Sequence, residues 1–211
     1  MDKKFAIFDM DGTLIDSMGY WQRLAGEYLF SRGVTPAQIP ADLPERIKTA
    51  TVTGAAAIFI DLFGFSGTPE SIAAEINTMM DDHYRNDIPL KPGVKEYLAH
   101  LKQNGVSLCV ASATAAPLME ACLTRLGVRE DFAFLISCEE LGVTKNTPDI
   151  YRYCAKRFGA LPEQTAVFED ALFAVQAARK GGFYVVGVYD EAAESHWEEV
   201  KAIADEAIVH W

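Results

Sequence analysis

The sequence predicts an α/β protein: a doubly wound parallel sheet with helices on both faces, carrying an all-helical domain inserted after its first strand. Three observations lead there. Short apolar runs recur along the chain with helical patterns between them, which is the signature of strand–helix–strand units and a parallel sheet. Residues 17–87 break that alternation, because they carry helical periodicity and no convincing buried strand. At 211 residues the chain can bury a substantial core, either as one domain or as one domain with a large insertion.

The first run, FAIFD at 5–9, is apolar, ends in a carboxylate and meets Gly-Thr turn chemistry, so it reads as a buried strand followed by a loop. Further strands are expected at 106–111, 132–137, 166–168 and 183–188. The helix expected over 92–103 starts at a proline, spaces Val94, Tyr97, Leu98 and Leu101 along one face and stops at Asn104-Gly105. The segments 117–126, 148–158 and 172–180 repeat that punctuation, each ending before glycine. In the insert, helices are expected at 20–32, 44–50, 55–63 and 69–86. The resulting domains are a sheet core of 1–16 and 88–211 and a helical lobe of 17–87, with no internal repeat or low-complexity tract.

Composition narrows the function. Half the residues are hydrophobic and 23% are charged, far from the composition of disorder, so the chain should fold. The net charge of −11 and the lack of any lysine or arginine run argue against a nucleic-acid partner. The start, MDKKFAIFDMDG, is interrupted by Asp9 after four apolar residues and reads as neither a signal peptide nor a membrane span. Cys109, Cys122, Cys138 and Cys154 form no CxxC pair and are expected to be reduced, mostly buried thiols of a cytoplasmic protein. The four histidines have no metal-ligand spacing. Tyr20 and Trp21 read as core of the first insert helix, and 191–199 as a solvated acidic helix face.

Ligands of open parallel sheets sit outside the carboxyl ends of the strands, and the polar residues of interest fall there. Asp9 and Asp11 follow the first strand, Ser112 follows the second, Glu169 and Asp170 follow AVF, and Lys145 precedes a helix. Taken singly, each would fit a solvated loop or a helix cap. An acidic protein that binds an anion must do so through local chemistry, which makes a metal site more plausible.

Together these segments resemble the haloacid dehalogenase superfamily, in its capped phosphatase branch similar to beta-phosphoglucomutase and phosphoglycolate phosphatase-like proteins. DMDGTLIDS at 9–17 is similar to the first motif, DxDGT; VASAT at 110–114 to the second; Lys145 with Pro148-Asp149 to the third; and VFEDALFAVQAARKGG at 167–182 to the acidic fourth. The likeness covers the sheet domain almost end to end, while the insert matches the family's cap in position and length only. It implies a nucleophile at Asp9, which would form an aspartyl-phosphate, and a general acid and base at Asp11. It implies Mg2+ held by Asp9, Asp170 and the Asp11 backbone carbonyl, with Glu169 acting through water on the ion. Lys145 would put a point charge on the transferring phosphoryl group. Gly12 and Thr13 in the turn, with the Ser112 hydroxyl and the Ala113 N–H, would donate to phosphate oxygens. Many relatives carry a small hydroxyl residue where this chain has Ala171, which would remove one hydrogen bond near the metal.

The resemblance also sorts among activities. Mutases of this branch use a cap histidine and a cap-loop arginine; Trp21 and Gly54 stand around those positions, which favours water as acceptor. Dehalogenases do not need Asp11, and phosphonate cleavage needs a cap lysine, for which Lys48 is misplaced. The loop TATVTG at 49–54 either reaches the active site or is a plain interhelical turn. The expectation is a magnesium-dependent phosphatase acting on a small phosphorylated metabolite, such as a sugar phosphate, as a monomer or weak homodimer. The alternatives are a beta-phosphoglucomutase-like phosphomutase and a catalytically silent regulatory protein of the same fold.

Overall fold

The computed structural model describes residues 2–47 and 50–211. Lys48 and Thr49, named above, lie outside the described residues. The chain divides into two compact units, one of Met1–Met18 with Tyr84–Trp211 and one of Gly19–His83. The expected insert of 17–87 is slightly longer than the second unit at both ends. One cause is Tyr84, whose hydroxyl bonds Asp11 and whose carbonyl accepts from Arg125, both in the sheet unit.

In the sheet unit, β1 (Phe5–Phe8) is followed, after the insert, by α5 (Val94–Gln103), β2 (Ser107–Ser112), α6 (Ala116–Arg125) and β3 (Phe132–Ser137). The chain then adds α7 (Cys138–Leu141), α8 (Asp149–Phe158), β4 (Thr165–Glu169), α9 (Leu172–Lys180), β5 (Tyr184–Val188), α10 (Trp197–Ile203) and β6 (Glu206–Ile208). The strands form one parallel sheet in the order β3-β2-β1-β4-β5-β6. The chain winds outward from β1 in one direction and then, from β4, in the other. β1 and β4 therefore flank the switch point, where a doubly wound sheet opens its crevice.

The central strands are apolar on both faces because helices cover both. Phe8 stacks on Phe168 with ring centroids 4.2 Å apart, and Tyr97 of α5 and Trp211 complete that face. On the other face Ile7, Val167 and Val185 are fully buried in one cluster with Tyr151 and Cys154 of α8 and Val175 of α9. Burying each such large side chain contributes roughly 1.5–3 kcal/mol, so this core fixes the strand ends that carry the polar residues. All four cysteines are free and buried within it or beside it.

The second unit contains most of α1 (Met18–Ser31) and α4 (Pro69–Asn86), together with α2 (Leu43–Ile47) and α3 (Val52–Phe63). Its interior includes Leu24, Tyr28, Phe59, Ile72 and Ile76. The Tyr28 hydroxyl donates to Glu75, which also accepts from Arg32 at 2.8 Å. From Thr51 on, the TATVTG segment is the start of α3: the Thr51 hydroxyl accepts the Gly54 N–H at 3.0 Å as an N-cap.

Candidate active site

β1 delivers Asp9 just past its last residue, and pairing with β4 places it beside Glu169 and Asp170. The Asp9 N–H donates to the Phe168 carbonyl at 3.0 Å, continuing the β1–β4 ladder one step beyond β1. Carboxylate oxygens of Asp9, Glu169 and Asp170 lie within 4.8 Å of one another, and all three residues are buried. Lys145 comes from the loop before α8, 7% exposed, and its ammonium donates both to Asp9 Oδ1 and, at 2.7 Å, to Glu169 Oε1. The Tyr151 hydroxyl, one turn along α8, donates to the same Glu169 oxygen at 2.8 Å.

Three buried carboxylates against one ammonium leave a strong excess of negative charge, and the carboxyls respond. Burial, then Asp9 beside it, push Glu169 up to about 8, with Lys145 offsetting part of the effect. Burial, Asp9 and Asp190 push Asp170 up to about 7. Asp9 is raised by burial as well, against the pull of Lys145. Burial alone would lower Lys145, but Asp9 and Glu169 outweigh it and hold the ammonium protonated well above its ordinary range.

The donor set fits a hard divalent cation. Glu169 Oε2 is buried and has no hydrogen-bond partner, a costly condition for a carboxylate oxygen unless something positive can face it. Oxygen-only ligands of this charge suit magnesium, which takes a few carboxylates and completes its shell with other oxygens. Gly12, at φ +76°, leaves the room that Asp170 occupies: a Cβ there would lie 2.5 Å from Asp170 Oδ2. Thr13 is fully buried and its hydroxyl donates to Asp170 Oδ1 at 3.1 Å.

The other predicted residues fall around Asp11. Its Oδ1 accepts from the hydroxyls of Ser17 at 2.7 Å and Tyr84 at 2.6 Å, and its Oδ2 from Thr114 at 2.7 Å and, at a long 3.4 Å, Ser112. The Ser112 hydroxyl also accepts the Thr114 N–H at 3.1 Å, and Ala113 between them is exposed. The Gly12 N–H donates to the Ile15 carbonyl at 3.1 Å, and the Thr13 hydroxyl bonds Asp170.

Sequence reasoning missed Tyr151, Tyr84, Ser17 and Thr114, all of which bond a candidate residue. Thr114 was within reach, since it stands two residues past Ser112 in VASAT. Lys91 and Asp190 were missed too: they form a nearly buried ion pair at 2.8 Å, and Asp190 adds its charge to the field at Asp170.

Residues 3–182 match the family of haloacid dehalogenase-like hydrolases. The chain belongs to that family. Relatives of this hydrolase include hexitol phosphatase B of Escherichia coli K12, 31% identical over 190 residues, with 82% of this chain and 79% of the relative covered. Fructose-1-phosphate phosphatase YqaB of Escherichia coli K12 is 30% identical over 186 residues, covering 86% and 94%. Among solved structures, CbbY from Rhodobacter sphaeroides in complex with xylulose-(1,5)bisphosphate aligns with a TM-score of 0.75, at 23% identity and over 98% of this chain and 93% of that one. Beta-phosphoglucomutase from Clostridium difficile aligns at 0.68 and 21% identity, over 99% and 91%. At these identities the structures speak for the fold: the parallel sheet expected from the sequence is that of this family. With its named phosphatase relatives, the hydrolase is classed among phosphoric monoester hydrolases. No described helix is long and apolar enough to cross a membrane.

Proposed function

We propose that the protein is a magnesium-dependent phosphatase of a small phosphorylated polyol or sugar, working through an aspartyl-phosphate at Asp9. The observation that carries this reading is the convergence of Asp9, Lys145, Glu169 and Asp170 at the sheet's switch point, with Glu169 Oε2 buried and unpartnered. The relatives named as hexitol phosphatase and fructose-1-phosphate phosphatase support the substrate class.

Asp9 and Asp170 would hold the ion through side-chain oxygens and Asp11 through its backbone carbonyl, with Glu169 acting from farther out. Magnesium, when bound, supplies the positive charge that lets a phosphate dianion approach these carboxylates. Lys145 holds one oxygen of Asp9, which orients the carboxylate and places a cation beside the phosphoryl oxygens. A free Asp9 oxygen attacks phosphorus, the bond to the ester oxygen breaks, and Asp11 gives the departing alkoxide its proton. Asp11 then takes a proton from water, the water attacks the phosphorus of the aspartyl-phosphate, and phosphate leaves with Asp9 restored. Ser112, whose hydroxyl now bonds Asp11, and Ala113 next to it would donate to the transferring group when substrate is bound.

The test is hydrolysis of 4-nitrophenyl phosphate and a panel of hexitol and ketose phosphates, with magnesium and with a chelator. Activity should require magnesium and vanish in Asp9→Asn. Activity that persists in either condition would contradict the proposal, and isomerisation of a hexose 1-phosphate in the presence of its bisphosphate would point to a mutase instead.

A further inference from the structure

Both oxygens of the Asp11 carboxylate are tied by hydroxyl donors, and the donors come from separate parts of the sheet unit. Ser17 ends the loop after β1, Ser112 is the last residue of β2 and Thr114 follows it, and Tyr84 stands near the C-terminal end of α4. Tyr84 is 1% exposed, and its hydroxyl also lies 3.3 Å from that of Thr114. Its backbone is tied as well: Arg125 of α6 donates to the carbonyls of Tyr84 at 3.1 Å and Ile88 at 2.5 Å. Apart from Asp11 and Ser112, none of these groups has a part in the mechanism above.

A carboxylate on a loop, left to water, samples many rotamers, whereas general acid catalysis needs its proton within hydrogen-bond reach of one leaving oxygen. Hydroxyls suit this task better than a lysine or arginine would, because a hydroxyl can donate to the carboxylate and accept from the carboxylic acid. The carboxyl can therefore cycle between both forms without losing its partners. Tyr84 and Thr114 each make a short bond, Tyr84 to Oδ1 at 2.6 Å and Thr114 to Oδ2 at 2.7 Å, so between them they hold both oxygens.

We propose that Tyr84 and Thr114 are positioning residues for Asp11, which hold its carboxyl where it can deliver a proton to the leaving group and so determine how well the enzyme expels a basic one. The proposal rests on the reading of Asp11 as general acid, and it predicts a specific kinetic signature. A hydrogen bond to a charged group contributes about 1.5–3 kcal/mol, so losing one donor should cost roughly tenfold or more in a step that depends on Asp11's orientation. A leaving group that needs no proton should be indifferent.

The experiment compares kcat/KM for phenyl phosphate, 4-nitrophenyl phosphate and 2,4-dinitrophenyl phosphate in the magnesium-loaded enzyme, since kcat/KM reports the steps up to departure of the first product. Asp11→Asn serves as the reference: it should depress phenyl phosphate far more than the dinitrophenyl ester. If it does not, the reading of Asp11 as acid fails, and this inference with it. If it does, Tyr84→Phe and Thr114→Val, which keep shape and remove one hydroxyl each, should reproduce the pattern in part. Phenyl phosphate should fall about tenfold, the dinitrophenyl ester should stay within about twofold, and Thr114→Ser should restore the rate. An equal fall on all three esters in both variants would mean a structural role only, and it would overturn the proposal. So would an unchanged or increased rate on phenyl phosphate.

Discussion

Replacing Gly12 by alanine adds one methyl group where the turn after β1 passes Asp170. The backbone there has φ +76°, a region that costs an L-residue roughly 1–2 kcal/mol. The added Cβ would lie 2.5 Å from Asp170 Oδ2 and 2.9 Å from its Cγ, whereas ordinary contact begins near 3.4 Å, so the carboxylate must retreat by about 0.9 Å. Strain alone should lower Tm by roughly 2–8 °C, given about 2–4 °C per kcal/mol for a chain of this size. If Asp170 holds the ion, displacing it should weaken metal binding by about 10–100-fold, as disturbing the supports of a metal site does elsewhere. Gly159→Ala is the control, because Gly159 has φ +71° and nothing within 4 Å of a Cβ. Thermal melting in chelator and activity titrated with magnesium separate the two effects. Gly12→Ala should lose stability and require more magnesium, while Gly159→Ala should lose stability alone. If both variants show the same magnesium dependence as the parent, Gly12 is not making room for a metal ligand and the site geometry inferred here is wrong.

Further expectations concern charge. Lys145→Ala leaves Asp9 and Glu169 buried without their cation, a change that typically costs 3–5 kcal/mol, so melting should fall by roughly 6–20 °C, and magnesium should recover part of the loss; an unchanged melting curve would show that the pair contributes nothing. In the ion-free protein Glu169 stands at about 8 against an ordinary 4.5, so the folded state binds more protons than the unfolded state between those values. The stability this contributes is complete below about pH 4.5 and is lost as pH rises through about 8. Asp170, at about 7 against an ordinary 3.8, acts in the same direction over a lower window. Magnesium competes with those protons, so the rise in Tm on adding it should widen steadily from about pH 5 to about pH 8. A rise that is the same at every pH would contradict the assignment of these carboxylates to the ion.

Much of this was legible because strand ends are where sequence and chemistry meet. FAIFD and AVFED announce both burial and a terminal carboxylate, and their pairing across β1 and β4 brings Asp9, Glu169 and Asp170 together. The edge strand β6 was not legible: Glu206–Ile208 is three residues long, half-exposed, and pairs only with β5 among the described strands. Tyr151 shows why supporting residues hide. On the helix face it is indistinguishable from core, and its ring is indeed buried in the core, yet its hydroxyl reaches Glu169. Tyr84 is 73 positions from Asp11, and no local pattern marks the one aromatic of α4 whose hydroxyl returns to the site. The contacts of the Gly12-Thr13 turn were not legible for a similar reason. Turn chemistry predicted a loop after the strand, but not that the Gly12 N–H would bond Ile15 or the Thr13 hydroxyl Asp170.

Whether Asp9 becomes phosphorylated is tested most directly in Asp11→Asn, mixed rapidly with excess 2,4-dinitrophenyl phosphate and magnesium. An ester that needs no acid should still transfer its phosphoryl group, while the water step loses its base. The account predicts a burst of about one dinitrophenolate per enzyme, followed by slow turnover, with the acyl-phosphate located at Asp9 by borohydride reduction and peptide mass. Linear release without a burst, or an acyl-phosphate at any other carboxylate, would contradict it.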